Sequence, residues 1–176
     1  MQFISPEYRD LNCRLHKQAK KYGISAQRYI VDIRNWLKIV DAEIVLDYGC
    51  GKGKLKQGLR NQPVTVYEYD PCILDKAGPP GPADVVVCID VLEHIEPEYL
   101  DSVLEHMRTL ALKGLFVTVS TTQGKRRLPD GSHVHINVHS FEFWENKLGK
   151  AFGTGSAQKV ERKNTVDGIF KWEFGE

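Results

Sequence analysis

At 176 residues, 41% hydrophobic and 27% charged, the chain has enough apolar material for one self-sufficient core and too little length for two. Its 24 Lys and Arg against 23 Asp and Glu leave a formal net charge of +1, so it lacks the general positive field that would by itself indicate nucleic acid; any polyanion site has to be local. No stretch approaches the ~18 apolar residues of a membrane span, and residues 1–11 carry no apolar segment of the signal-peptide kind. Cys13, Cys50, Cys72 and Cys88 form no Cys-x-x-Cys pair, and this implies reduced thiols in a cytoplasmic protein.

In chain order, residues 11–22 are polar and basic, and Gly23 followed by Ser25 reads as a stop and then the N-cap of a helix running to about residue 38. Residues 1–40 are therefore expected as an N-terminal helical arm and residues 41–176 as the main domain. Residues 43–47 form a short apolar run ending in an acid and a glycine-rich turn, with a helix expected over 54–60. Further strand-like runs occupy residues 64–69, 83–89 and 115–120, and their near-continuous apolar character indicates a parallel sheet covered on both faces. Between the last two lies a helix with Pro97 near its start, apolar Leu100, Val103, Leu104, Met107 and Leu110 along one face, and Gly114 as its stop. The tail predicts a helix over 141–148, then strands at 158–162 and 169–174 joined by a turn at 163–168. Between Pro71 and Pro82, where a doubly wound fold would place another helix and strand, only Leu74-Asp75-Lys76-Ala77 and the breaker-rich Gly78-Pro79-Pro80-Gly81-Pro82 occur. The expected fold is α/β: a Rossmann-like, doubly wound, mostly parallel sheet with a C-terminal antiparallel hairpin and a shortened or missing third strand.

Asp47-Tyr48-Gly49-Cys50-Gly51-Lys52-Gly53 closes a strand and opens a helix, and glycines in such a loop let the backbone turn tightly and approach a ligand with no Cβ in the way. A tight strand-to-helix turn is the plainer reading of the same residues. Asp70 stands at the end of the next strand, where a carboxylate can accept hydrogen bonds from ribose hydroxyls; as an acid before Pro71 it also suits turn initiation.

These segments resemble the class I S-adenosylmethionine (SAM)-dependent methyltransferases. Val45-Leu46-Asp47-Tyr48-Gly49-Cys50-Gly51-Lys52-Gly53 is similar to the family's first motif, Tyr67-Glu68-Tyr69-Asp70 to its acidic ribose-binding position, and the run from Asp84 through Ile89, Asp90, Val91, Leu92, Glu93, His94 and Ile95 to the motif on its fourth strand. The resemblance implies that SAM is the cofactor, that Asp47 helps hold its methionine end, that Gly49, Gly51 and Gly53 approach it, that Asp70 binds its ribose, and that Ile89 and Asp90 line its site. The family's third strand usually supplies a polar residue to the adenine amino group. Here the Pro-rich shortcut stands in its place, so adenine is expected to meet apolar and backbone groups of residues 71–83 and Ile89, with Asp75 the one acid to watch.

Methyl transfer from a sulfonium is an in-line displacement that needs proximity, alignment and, for a hydroxyl acceptor, removal of a proton. The chain lacks the Asn/Asp-Pro-Pro-Tyr type motif associated with exocyclic amines of bases and the Pro-Cys dipeptide of cytosine-carbon methylases. It does carry Asp90, Glu93 and His94, followed by His133, His135 and His139, an inventory for divalent metal or acid/base work. The pattern partly resembles Glu-x-x-Glu-His…His of metal-dependent O-methyltransferases, which implies Mg²⁺ or Mn²⁺ on Asp90, Glu93, His94 and His135, with Glu93, His94 and His135 as the catalytic set. His135 is preferred among the three later histidines for its spacing to Phe141-Glu142-Phe143-Trp144. A metal-free alternative keeps His94 as general base, and His133 with His135 also reads as one exposed face of a short strand. Lys125-Arg126-Arg127 suits an anionic substrate or a solvated loop, and His16, Lys17, Lys20, Lys21 and Tyr22 a lid or a surface helix.

The expected activity is methyl transfer to an oxygen of a small or nucleotide-like acceptor. Alternatives are a 2′-O-methyltransferase of RNA or DNA ends and a non-catalytic SAM-binding regulatory module. A membrane partner is not expected.

Overall fold

A computed structural model describes residues 2–162 and 165–175. Its elements in chain order are α1 (Pro6–Gln18), α2 (Ile30–Ile39), β1 (Ile44–Tyr48), α3 (Lys54–Leu59), β2 (Thr65–Tyr69), β3 (Ala83–Ile89), α4 (Leu100–Leu110), β4 (Ala111–Ser120), α5 (Phe141–Phe152), β5 (Ser156–Arg162) and β6 (Thr165–Glu173). The six strands form one sheet in the order β2-β1-β3-β4-β6-β5. The first four run parallel, while β6 pairs antiparallel with β4 and with β5.

The apolar runs are continuous because both faces are covered. Along β3, Val86 and Cys88 join a core with Leu46, Leu104, Met107, Trp144 and Leu148, under α4 and α5. The alternate residues Val85 and Val87 join Ile33, Trp36, Val45, Leu55 and Leu59, under α2 and α3. The face of α4 expected from spacing, Leu100, Val103, Leu104, Met107 and Leu110, is the buried one. Truncating fully buried Met107 to Ala should cost about 2–5 kcal/mol, in the range of large-to-small core changes. Between Pro71 and Pro82 the chain makes only one 3-10 turn, Leu74–Lys76, and β2 is left as a sheet edge. Pro79, Pro80 and Pro82 cannot donate to a ladder, and the expected missing unit is accounted for. All four cysteines are free thiols, and among the described residues no helix is long and apolar enough to cross a membrane.

Four boundaries differ from expectation. Ser25 begins a 3-10 turn (Ser25–Arg28) and caps nothing; the helix proper starts only after Tyr29, whose backbone breaks the run to place a fully buried ring and a hydroxyl 3.2 Å from Asp167 Oδ2. Of the forty residues read as an arm, α2 belongs to the core through Ile33, Trp36 and Leu37. Gly114 does not stop α4, which passes straight into β4; it lies within the strand because any side chain there would collide with the Trp172 carbonyl and come within 2.9 Å of the Trp36 ring. The turn expected at 163–168 is shorter, since Arg162 already pairs with Thr165 and Asp167 is a buried strand residue opposite Ser120; Lys163 and Asn164 lie outside the described residues.

α1 has a Pro at its first turn and Ser5 as N-cap, the side chain accepting from Tyr8 N. It lies across the ends of the strands, tied by Arg9 Nε to the Pro71 carbonyl at 3.0 Å, by Ser5 N to Glu96 Oε2 at 2.8 Å and by Lys52 Nζ to the Ala19 carbonyl, just past its end, at 2.8 Å.

Candidate active site

The C-terminal ends of the four parallel strands open onto a cavity of about 430 Å³, the place where open α/β sheets bind ligands. α1 and the following turn roof it with Tyr8, Asn12, His16 and Tyr22.

At one end the loop after β1 turns on left-handed glycines, Gly49 (φ 75°) and Gly51 (φ 51°), which line the cavity. The Gly49 and Cys50 amides donate to the Tyr69 carbonyl at 2.8 and 3.0 Å, which locks this loop to the end of β2. A Cβ on Gly51 would sit 2.6 Å from the Gly23 carbonyl oxygen, so this glycine also admits the roof segment. Gly53 departs from expectation. It does not line the cavity; it precedes α3 at φ 67°, and a side chain there would collide with Glu68, which pairs with Lys76 at 3.1 Å beneath the loop. Glu68 likewise does not line the cavity.

Asp47 is 2% exposed and its Oδ2 has no hydrogen-bond partner. Burial, and then the Glu68 carboxylate, push its carboxyl up to about 8. Asp70 is buried as well, with Oδ2 accepting from Gly51 N and Oδ1 from Cys72 N, both at 2.9 Å. Each carboxylate oxygen retains acceptor capacity for a further donor. Ile89, Pro71 and Cys72 complete this wall, whereas Asp75 is exposed and off it.

At the other end, Glu93 and His94 lie on a 3-10 turn, Leu92–His94, and not at the start of a longer helix. Glu93 is fully buried. Its Oε1 accepts from Ser120 N at 3.0 Å, its Oε2 has no partner, and burial, followed by the Asp90 carboxylate, pushes its carboxyl well up. The loop after β4 is brought back onto this turn by two amides, Ile136 N and Asn137 N, each 3.0 Å from the Glu93 carbonyl. That closure sets the His94 and His135 rings 4.8 Å apart, edge to face. One ligand atom each from Glu93, His94 and His135 lies within 4.8 Å of the others. His94 Nδ1 is buried and unpartnered, and burial, then the His135 ring, lower its pKa to about 3, so this imidazole is neutral. His135 Nδ1 is 2.7 Å from the Thr122 carbonyl, a contact that requires the proton on Nδ1 and leaves the lone pair on Nε2; the Gly124 amide, 3.2 Å from the same atom, makes the weaker approach.

Asp90 does not join this trio. Its backbone takes φ 51°, which turns the carboxylate to Thr118 Oγ1 at 2.6 Å, to the Ser25 side chain and to Arg28 at 3.5 Å. The other two histidines fall outside as well: His133 Nδ1 meets the Gly124 carbonyl, and His139 pairs with Asn137 Oδ1 and stacks on Phe143. Sequence reasoning missed Asn12 on α1, Arg28 on the 3-10 turn before α2 and Thr118 on β4, polar residues with no motif around them. Tyr22, read as part of a lid or a surface helix, packs at 4.6 Å against the His16 ring, approaches the His94 ring at 6.0 Å and donates to Asn12 Oδ1.

Residues 22–151 match the family described as a methyltransferase domain. The chain belongs to that family. Among solved structures, this methyltransferase superposes on a 1,6-didemethyltoxoflavin N1-methyltransferase from Burkholderia thailandensis, solved with that compound and S-adenosylhomocysteine, with TM-score 0.70 and 16% identity over 97% of this chain and 91% of that one. A magnesium protoporphyrin IX methyltransferase from Synechocystis, with S-adenosylhomocysteine bound, gives TM-score 0.63 and 17% identity over 92% and 91%. An O-methyltransferase family protein from Burkholderia thailandensis gives TM-score 0.66 and 18% identity; all of this chain aligns, and it spans 65% of that protein. At such identities the likeness is one of fold. No curated protein matches the chain in sequence. As a methyltransferase, the protein has to place a methyl donor and an acceptor side by side, and the cavity has two chemically distinct ends in which to do so.

Proposed function

We propose that this methyltransferase takes its methyl group from SAM and transfers it to an oxygen of a small or nucleotide-like acceptor, with a divalent cation held by Glu93, His94 and His135. The observation that carries the reading is that one cavity joins the Asp47–Asp70 end to the Glu93–His94–His135 end.

The residues at the first end fit the cofactor. The unpartnered Asp47 Oδ2 suits the ammonium of its methionine part, the spare acceptor capacity of Asp70 suits ribose hydroxyls, and the apolar Ile89 side suits adenine. When bound, SAM supplies an electrophilic methyl on a sulfonium. Asp47 and Asp70 would fix its methionine part and its ribose, and α1 with Tyr22 roofs the cavity.

The second end fits a cation. A buried, unpartnered carboxylate oxygen and a buried, unpartnered imidazole nitrogen are each costly to keep in an apolar surrounding, and a positive ion would satisfy both. A neutral imidazole whose protonation is suppressed is a poor base and a good ligand, which favours the cation over His94 acting alone. The ion would supply Lewis acidity toward an acceptor hydroxyl and thus ease loss of its proton. Of the two ions expected, Mn²⁺ suits one carboxylate oxygen and two imidazole nitrogens with open positions for substrate, whereas Mg²⁺ favours an all-oxygen set. A module that only bound SAM would have no use for this trio.

Calorimetry with S-adenosylhomocysteine, and transfer of labelled methyl from SAM into extracted small molecules with and without EDTA, test the reading. Binding, with transfer abolished by EDTA and restored by Mn²⁺, is expected. Absence of binding would overturn the cofactor assignment; full transfer in EDTA would overturn the cation and return His94 as the base.

A further inference from the structure

The ionisable residues of the cavity are sorted by depth. Asp47, Asp70 and Glu93 are at most 5% exposed and form the floor, whereas Lys21, Lys125 and Arg126 are exposed and form part of the mouth. Among the described residues none of these three cations has a carboxylate partner, in contrast to Arg28 on Asp90 or Lys76 on Glu68 in the same region. With a net charge of only +1, this is a local arrangement and not a share of a general positive field.

The loop that carries two of them is anchored on both sides. Before Lys125, the Gly124 carbonyl meets His133 Nδ1 at 3.2 Å, and Gly124 packs against the His135 ring so closely that a Cβ there would come within 3.0 Å of it. After Arg127, Leu128 is 4% exposed and packs with Leu15 of α1 and with Val134. Val134 N also reaches the Arg126 carbonyl at 3.3 Å. The Arg126 guanidinium lies over the Tyr22 ring, 5.8 Å from its centroid, so an aromatic face orients it at the cavity. Arg127 differs: its Nη1 bonds the Gly131 carbonyl at 2.8 Å within its own turn, and it does not line the cavity.

We propose that Lys125 and Arg126, with Lys21 on the same mouth, form an oxyanion subsite that holds a phosphate or carboxylate group of the methyl acceptor. A planar guanidinium beside a flexible ammonium is the donor set that recognises such groups. Because Lys125 follows directly on Gly124, which packs against the His135 ring, the anionic group of the acceptor sits close to the oxygen that receives the methyl. The proposal rests on the acceptor end of the cavity assigned above and narrows the substrate class to anionic acceptors. It also explains the balance of charge: acids below for the cofactor and cation, bases above for the substrate.

The test uses the full-length protein saturated with S-adenosylhomocysteine, with the Arg126 and Arg127 Nε–H signals followed by ¹⁵N NMR during separate titrations with inorganic phosphate, acetate and, at matched ionic strength, chloride. A saturable shift at Arg126 with phosphate or acetate is expected, with little change at Arg127 and none with chloride. Lys125→Gln should weaken that response about tenfold, the loss of one charge-assisted contact, while Arg127→Gln leaves it unchanged. The tighter of the two anions names the group, phosphate or carboxylate. A response no different from chloride, or one that Lys125→Gln does not weaken, would overturn the subsite. S-adenosylhomocysteine affinity is measured separately by calorimetry: its absence counts against the cofactor reading, whereas its presence without an anion response counts against the subsite alone.

Discussion

At the Asp47 end of the cavity the main polar groups come from one short run, residues 47–70, and strand ends hold them: the Gly49 and Cys50 amides close on Tyr69, and the Gly51 amide closes on Asp70. At the His135 end, Glu93 and His94 come from a turn after β3 and His135 from the long loop between β4 and α5, joined by two amides on the Glu93 carbonyl. The first end is made by backbone geometry and has one unpartnered carboxylate oxygen; the second is made by loop closure and has a buried unpartnered carboxylate oxygen and a buried unpartnered imidazole nitrogen side by side, Glu93 Oε2 and His94 Nδ1. On the function proposed above, the difference separates two jobs: sheet ends would hold the cofactor, and a loop that can change without disturbing them would carry the acceptor chemistry.

If the two ends are separable, mutations should divide the same way. The largest effect is expected from His135→Ala, which should lower turnover by about 10²–10⁴-fold, the scale of a lost proton-removal device, while S-adenosylhomocysteine affinity stays within about twofold. A parallel loss of cofactor affinity would show that the ends are one unit. Asp70→Ala should weaken S-adenosylhomocysteine binding by about 100-fold, since ribose contacts are lost and the Gly51 and Cys72 amides lose their acceptor. Calorimetry reads it, and a normal affinity would mean that Asp70 serves only the loop.

A smaller and more diagnostic effect concerns pH. The Asp47 carboxyl, held up at about 8 in the folded protein, ordinarily ionises near pH 4, so the empty protein keeps a proton there that the unfolded chain has released. This contribution to stability is present at acid pH and is lost as pH rises from about 4 through about 8. Binding of an ammonium group favours the ionised form, so affinity for S-adenosylhomocysteine should rise with pH, by at most about tenfold per unit, and level off above about pH 8. Asp47→Asn should flatten the profile between pH 6 and 8; an unchanged slope would assign the titration to another group. The smallest effect is expected from Thr118→Val, which removes both hydrogen bonds of that hydroxyl with Asp90, its donation to Oδ1 and its acceptance from the amide, and should lower stability by about 1–3 kcal/mol in a denaturant titration with little change in cofactor affinity.

The contrast also explains what could be read from the sequence. The sheet was legible because β1 and β3 are buried on both faces and so read as unbroken apolar runs, and the missing edge unit because its prolines cannot pair. Asp47 and Asp70 were legible because each stands at the end of a strand. What escaped depends on partners far along the chain. Nothing near Gly114 announces the Trp172 carbonyl, nothing near Asp90 announces Thr118, and Gly53 looks like its loop neighbours until Glu68 is placed beneath it. His133, His135 and His139 share a local pattern; what tells them apart is the contact of Ile136 and Asn137 with Glu93, which spacing does not encode.

The most direct test of the two-ended cavity is the ¹³C-methyl resonance of labelled SAM bound to the protein, followed as Mn²⁺ is added. If the cofactor lies against Asp47 and Asp70 and the ion sits on Glu93, His94 and His135 in the same cavity, one equivalent of Mn²⁺ should broaden that resonance strongly in the parent protein and only weakly in His135→Ala. A bound methyl signal that Mn²⁺ leaves sharp, or that it broadens equally in both proteins, would contradict the account.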